Sequence, residues 1–197
     1  ILMRSTSLVG VALPLSLLLI SPADADDLSH RLKGQYAVTT TRICAQTQAG
    51  FAPPALQALS PSSIQTAIIE SIQTFNGDGT FTSEGRAMTL FANLAGAGQF
   101  PIGEQAFTCG GTYQVNEDGA FSQQESCKGS IFTGPTAGQT FTSTGGGAAT
   151  GRIHDKLIFI KDTTANLITF TFSAIGPFTR ICGFNGTGVK IKNNRED

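Results

Sequence analysis

Few side chains in this sequence could do chemistry, and most of those fall in one hairpin. Pairing Val115 with Phe121 across Asn116-Glu117-Asp118-Gly119 sets Tyr113 opposite Gln123, Gly111 opposite Glu125 and Cys109 opposite Cys127. The even-numbered face of that hairpin (Thr108, Thr112, Gln114, Ser122, Gln124, Lys128) is polar throughout, so the odd face points inward and takes Gln123 and Glu125 with it. A buried carboxyl beside a phenol suits general acid–base work or the binding of a polar ligand. A second hairpin repeats the layout around Asn76-Gly77-Asp78-Gly79-Thr80, with Phe75 opposite Phe81, Gln73 opposite Ser83 and Ser71 opposite Gly85. Both place bulky residues near the turn and small or polar ones mid-strand. Small residues leave space, and buried polar atoms need partners, water or a ligand. The expected ligand-lining set is therefore Ser71, Gln73, Ser83, Gly85, Gly111, Tyr113, Gln123 and Glu125, with the two glycines opening the cavity. Two other arrangements stay open. A one-residue slip would turn Gln123 and Glu125 to solvent, and side chains with buried water could fill the interior.

Other motifs do not hold up. Counting a calcium loop from Asn76 puts Phe81 and Ala87 where Gly and Glu are needed. The Gly-rich stretch from Gly145 to Arg152 contains no Gly-Lys-Ser/Thr. His154 and Asp155 are neighbours beside a turn and point apart, while His30 sits in a polar leader, so two such histidines define neither a catalytic triad nor a metal site. No catalytic residue, metal or cofactor is expected, and whether the protein is an enzyme stays open. Charged residues are 14% of the chain and the net charge is −1, without a basic stripe, which argues against a nucleic-acid partner.

Arg4, an apolar run from Leu8 to Ile20 and the small residues Ala23 and Ala25 have the three-part form of a secretory signal. The run falls short of the roughly 20 residues of a membrane span, and Pro14 interrupts it. The expectation is a signal peptide over 1–25, a single β-barrel domain over 26–190 and a polar tail over 191–197. The mature chain is then exported, periplasmic or secreted, without a transmembrane anchor; its oligomeric state is not readable. Export favours disulfides. Cys109 and Cys127 already share a register. Cys44 and Cys182 end the duplicated segments Thr41-Arg42-Ile43-Cys44 and Thr179-Arg180-Ile181-Cys182, on the first and last strands. A bridge between those two requires the terminal strands to be neighbours, as closure of a barrel makes them.

The elements that must position these groups are strands rich in Thr, Phe, Ile and Val: Gln35–Ala45, Gln65–Phe75, Thr80–Leu90, Ala106–Val115, Ala120–Phe132, Thr140–Thr144, Lys156–Lys161, Leu167–Ala174 and Phe178–Phe184. Their regular spacing predicts an all-β fold, an antiparallel up-and-down β-barrel of about eight strands. Gln48 to Ser63, with Pro53, Pro54 and Pro61, reads as a long first loop with a helical turn around Ala55–Leu59 that covers a barrel mouth. Gly134 to Gly151 reads as a second flexible stretch. Leu157-Ile158-Phe159-Ile160, apolar throughout, suits a strand buried on both sides.

Gly34-Gln35-Tyr36, opening the first strand ahead of a long loop, resembles the Gly-x-Trp start of the calycins, the lipocalin-like barrels, with Tyr36 in place of their Trp. The run of hairpins is equally similar to barrels of the allene oxide cyclase and dirigent type. The resemblance implies an eight-stranded barrel that carries or senses a small molecule. Together with the export signal and the small, polar inner faces, the expected function is a non-catalytic exported barrel that binds a small amphiphilic molecule in its interior. The alternatives are a barrel isomerase or cyclase using Glu125 and Tyr113, and a structural or interaction protein of the cell envelope with a filled barrel.

Overall fold

Period-two alternation with turn signals at each end gives long antiparallel strands, and their pairing closes on itself. The computed structural model describes residues 28–52, 57–58, 62–93, 102–144, 149–174 and 176–191. A 3₁₀ turn (Leu28–Arg31) leads into β1 (Lys33–Thr47), followed by the short β2 (Phe51–Ala52) and β3 (Gln57–Ala58). Then come β4 (Ser62–Asn76), β5 (Thr80–Asn93), β6 (Ile102–Val115) and β7 (Ala120–Ile131). β8 (Thr140–Thr144), β9 (Ala149–His154), β10 (Leu157–Phe172) and β11 (Gly176–Lys190) complete the chain. β1, β4, β5, β6 and β7 pair in that order, β8 and β9 both bridge β7 to β10, and β11 joins β10 back to β1. Because β8 and β9 follow one another along a single stave, the ring has eight members, all antiparallel. The anticipated up-and-down barrel is what the chain forms. β2 and β3 make a separate two-stranded pair.

The two matched hairpins adopt the registers expected of them, Phe75 opposite Phe81 and Val115 opposite Phe121. Their turns explain why. Gly79 and Gly119 take φ of 84° and 78°, the left-handed conformation that three-residue hairpin loops need. Asp78 Oδ1 accepts from the Thr80 amide at 2.9 Å, and Asp118 Oδ1 accepts from the Ala120 amide at 3.0 Å. These carboxylates tie the turns. Hydrogen bonds from Thr80 hold the Asp78 carboxyl below its usual range.

One end of the barrel is closed by the chain leading into it. Leu32 is fully buried among Tyr36, Phe75, Phe81, Tyr113, Phe121 and Ile158. Arg31 reaches back to donate to the Glu117 carbonyl at 2.8 Å, fastening the 3₁₀ turn to the β6–β7 turn. A second apolar layer, Ile131, Phe141 and Phe172 with Phe107 and Phe178, lies toward the other end. Between the two layers the lumen brings polar side chains, among them Arg42, Gln73, Gln123 and Glu125, together with Ile69, Ile160 and Phe184.

Four sequence expectations need correction. β10 is one strand with a register shift between Asp162 and Asn166, not two strands, and Leu157–Ile160 is buried on one face only. Ile158 and Ile160 point inward while Leu157 and Phe159 are exposed, because a single-layered barrel has nothing packed outside it. β9 begins inside the stretch expected to be flexible, at Ala149–Gly151. Its Ala-Thr-Gly-Arg sequence has no apolar alternation, and the strand is held by ladders to β7 on one side and β10 on the other. Gln57 and Ala58 are extended rather than helical. The rest of the Pro-rich segment, the proposed signal and residues 192–197 lie outside the described residues.

Candidate binding site

Both disulfides form as the registers require. Cys109 pairs with Cys127 and Cys44 with Cys182, each joining directly opposed residues with Cα atoms 4.1 Å apart. All four side chains face inward, and the β1–β11 and β6–β7 seams that they join lie on opposite sides of the eight-membered ring. Between the seams is a cavity of about 90 Å³. Of the expected lining set, Ser71, Gln73, Ser83, Gln123 and Glu125 border it.

Gly85, Gly111 and Tyr113 do not, and the reasons are physical. A Cβ on Gly111 would overlap the Gln124 carbonyl and come within 2.9 Å of the Phe81 ring; one on Gly85 would meet the Glu70 carbonyl and, at 2.9 Å, the Phe107 ring. The glycines leave no empty space. They admit a tightly coiled backbone and the aromatic rings that lie over it, an arrangement repeated at Gly129 beneath Phe141. Tyr113 is spent on the closed end. Its hydroxyl donates to the Leu32 carbonyl at 2.6 Å, with the Ser29 carbonyl at 3.0 Å, and accepts from the Gly77 amide at 2.9 Å. The acid–base pair of Glu125 with Tyr113 is therefore not assembled.

What sequence reasoning missed is a pair of arginines. Arg42 and Arg180 stand two residues before Cys44 and Cys182, so the alternation that turns the bridge inward turns both guanidiniums inward as well. The duplicated Thr-Arg-Ile-Cys carries that signal, since each arginine shares a strand face with its cysteine. In the antiparallel register, Arg42 lies on the closed-end side of the bridge and Arg180 on the other. Arg180 is 3% exposed and donates from Nε to Gln46 Oε1 at 2.5 Å, an oxygen that also accepts from Gln65 Nε2 at 2.7 Å. Its guanidinium lies 5.8 Å from the centre of the Phe172 ring. Burial, and then the charge on Arg42, put the Arg180 pKa well below the arginine range.

Arg42 lies on β1, and Glu125 on β7, four staves away by either route around the ring. The two interact across the lumen: burial lowers the Arg42 pKa and Glu125 offsets part of that. Burial likewise raises the Glu125 pKa, with Arg42 opposing. Glu125 also lies beside the sulfurs of Cys109 and Cys127. Those sulfurs are bonded to each other, so the cluster offers a cation one carboxylate and no thiolate. His154 and Asp155 are exposed on the surface, as expected, but they do not point apart: Asp155 takes a φ of 54° in the turn and its Oδ2 lies 3.6 Å from His154 Nδ1.

A carboxyl whose folded-state pKa is raised keeps its proton longer in the native state. Its contribution to stability is complete below the unfolded value of about 4.3 and is lost as the pH climbs through the folded value. Wild type is therefore expected to lose stability from about pH 4.5 upward relative to Glu125→Gln, which cannot titrate. Urea midpoints of both proteins at pH 4.5, 6 and 7.5 test this. Parallel midpoints across that range would place Glu125 in water.

The chain matches no protein-family model, no curated protein and no solved structure.

Proposed function

We propose that the protein is an exported, non-catalytic barrel that binds a small molecule in the polar zone of its lumen. One observation carries this reading. Gln73 and Gln123, both lining the cavity, are 7% and 5% exposed, and their Oε1 atoms are buried without a hydrogen-bond partner. Buried polar atoms are paired in the great majority of cases, and leaving one unpaired costs about 1–3 kcal/mol. An occupant that donates to them removes the cost. An eight-stranded barrel is about the size that either fills with side chains or holds one small ligand. Two inward disulfides and a signal-like leader support an oxidising destination. Among the described residues, no helix is long and apolar enough to cross a membrane.

The cavity sets the scale of the ligand. About 90 Å³ lies well below the roughly 300–1,000 Å³ of sites for drug-sized molecules, which favours a compact ligand over a long-chain amphiphile. The isomerase reading loses its support, since Tyr113 is bound up in the closed end.

Native mass spectrometry of protein purified from its own host tests the proposal. The expected spectrum shows added mass that is lost on denaturation. A bare chain mass, together with a high-resolution crystal structure showing only ordered water on Gln73 and Gln123, would favour a filled structural barrel instead.

A further inference from the structure

We propose that the lumen selects a small monocarboxylate that also carries a hydrogen-bond donor, its carboxylate taken by Arg42 and its donor by Oε1 of Gln73 or Gln123. This rests on the binding-barrel reading above and names the chemistry of the ligand.

The argument starts from Arg42. Arg42 lines the cavity, and its guanidinium makes no hydrogen bond among the described residues. A guanidinium is a planar fork of five N–H donors with no acceptor, matched in geometry to a carboxylate. Its electrostatic partners are Glu125, across the lumen, and the like-charged Arg180. Glu125 opposes part of the Arg42 charge from across the lumen but occupies none of its N–H donors. A charged group removed from water needs hydrogen bonds as well as a counter-charge to be tolerated, and a carboxylate accepts from two arms of the guanidinium fork at once.

The glutamines ask for the opposite group. An oxygen without a partner needs a donor, which a simple carboxylate lacks. Gln73 on β4 and Gln123 on β7 place two such oxygens on the same cavity that Arg42 enters. The occupant must therefore offer an anionic acceptor at one end and a hydroxyl or N–H at the other. Size agrees: about 90 Å³ suits a compact molecule and not a long chain. Small hydroxy acids are of that size.

Three matched probes separate the requirements: lactate, lactamide, which lacks the charge, and propionate, which lacks the hydroxyl. Each is titrated into the intact oxidised protein and followed by NMR at the Arg42 Nε–H and the Gln73 and Gln123 side-chain amides. Lactate is expected to bind at least ten-fold more tightly than either analogue and to shift the Arg42 resonance. Arg42→Gln is expected to level lactate and lactamide. Should that variant fail to fold, Gln73→Met with Gln123→Met removes the acceptors instead, and lactate should then fall to the level of propionate. If lactamide binds wild type as tightly as lactate, the carboxylate inference fails while the binding-barrel reading stands. If propionate equals lactate, the donor requirement fails. If glycolate and 3-hydroxybutyrate join lactate in shifting only surface resonances or none, the inference is overturned, and the mass spectrum alone then decides the broader reading.

Discussion

Removing the bridge across the closing seam, by Cys44→Ala with Cys182→Ala, is expected to cost about 5 kcal/mol of folding stability on loop entropy, because the bridge spans 138 residues. The hairpin bridge spans 18, and Cys109→Ala with Cys127→Ala is expected to cost about 3 kcal/mol. Both pairs lie inside the barrel at directly opposed positions, and both double variants delete the same atoms. The difference of about 2 kcal/mol therefore isolates the length of the loop each bridge closes. A loss of about 5 kcal/mol is comparable to the whole stability of many domains, about 5–15 kcal/mol. The seam variant should accordingly show a much lower urea midpoint, or be unfolded without denaturant. Equal losses from the two double variants would mean that the β1–β11 ladder keeps the ends of the unfolded chain associated without the bridge.

The second large effect is expected at Gly111. Gly111→Leu should destabilise by about 3 kcal/mol or more, at or above the upper end of the overpacking range. The first atom of any side chain there overlaps the Gln124 carbonyl and presses on Phe81, and neither backbone nor packed ring can give way cheaply. Gly110 is the control. It faces outward on the same strand with nothing within 4 Å of a Cβ, so Gly110→Leu should stay within about 0.5 kcal/mol of wild type. Adjacent glycines on one strand thus have opposite tolerances. Similar urea midpoints for the two variants would mean that the space over Gly111 is open and that the glycines enlarge the cavity after all.

The registers of both hairpins were legible because they depend on local chemistry. Asn-Gly-Asp-Gly and Asn-Glu-Asp-Gly each end on a glycine in the left-handed conformation, Gly79 and Gly119, and a side-chain period of two then carries the second pairing along the strand to Cys109 and Cys127. Closure of the barrel was legible through covalent chemistry, since Cys44 and Cys182 can meet only if the terminal strands are neighbours. Five of the lumen residues followed from the same alternation. What each lumen side chain faces did not follow, because that depends on strands far apart in the chain. Arg42 meets Glu125 only because ring closure sets β1 opposite β7. Tyr113 leaves the ligand zone because the 3₁₀ turn before β1 folds under the barrel and presents carbonyls to its hydroxyl. Gly111 lies beneath Phe81, a residue of the neighbouring strand β5, so its missing side chain is already replaced by a ring. Period-two alternation determined which way each residue points, since that is a property of a single strand. Only the tertiary structure decided what it points at, since burial, charge pairing and contact are properties of the closed ring.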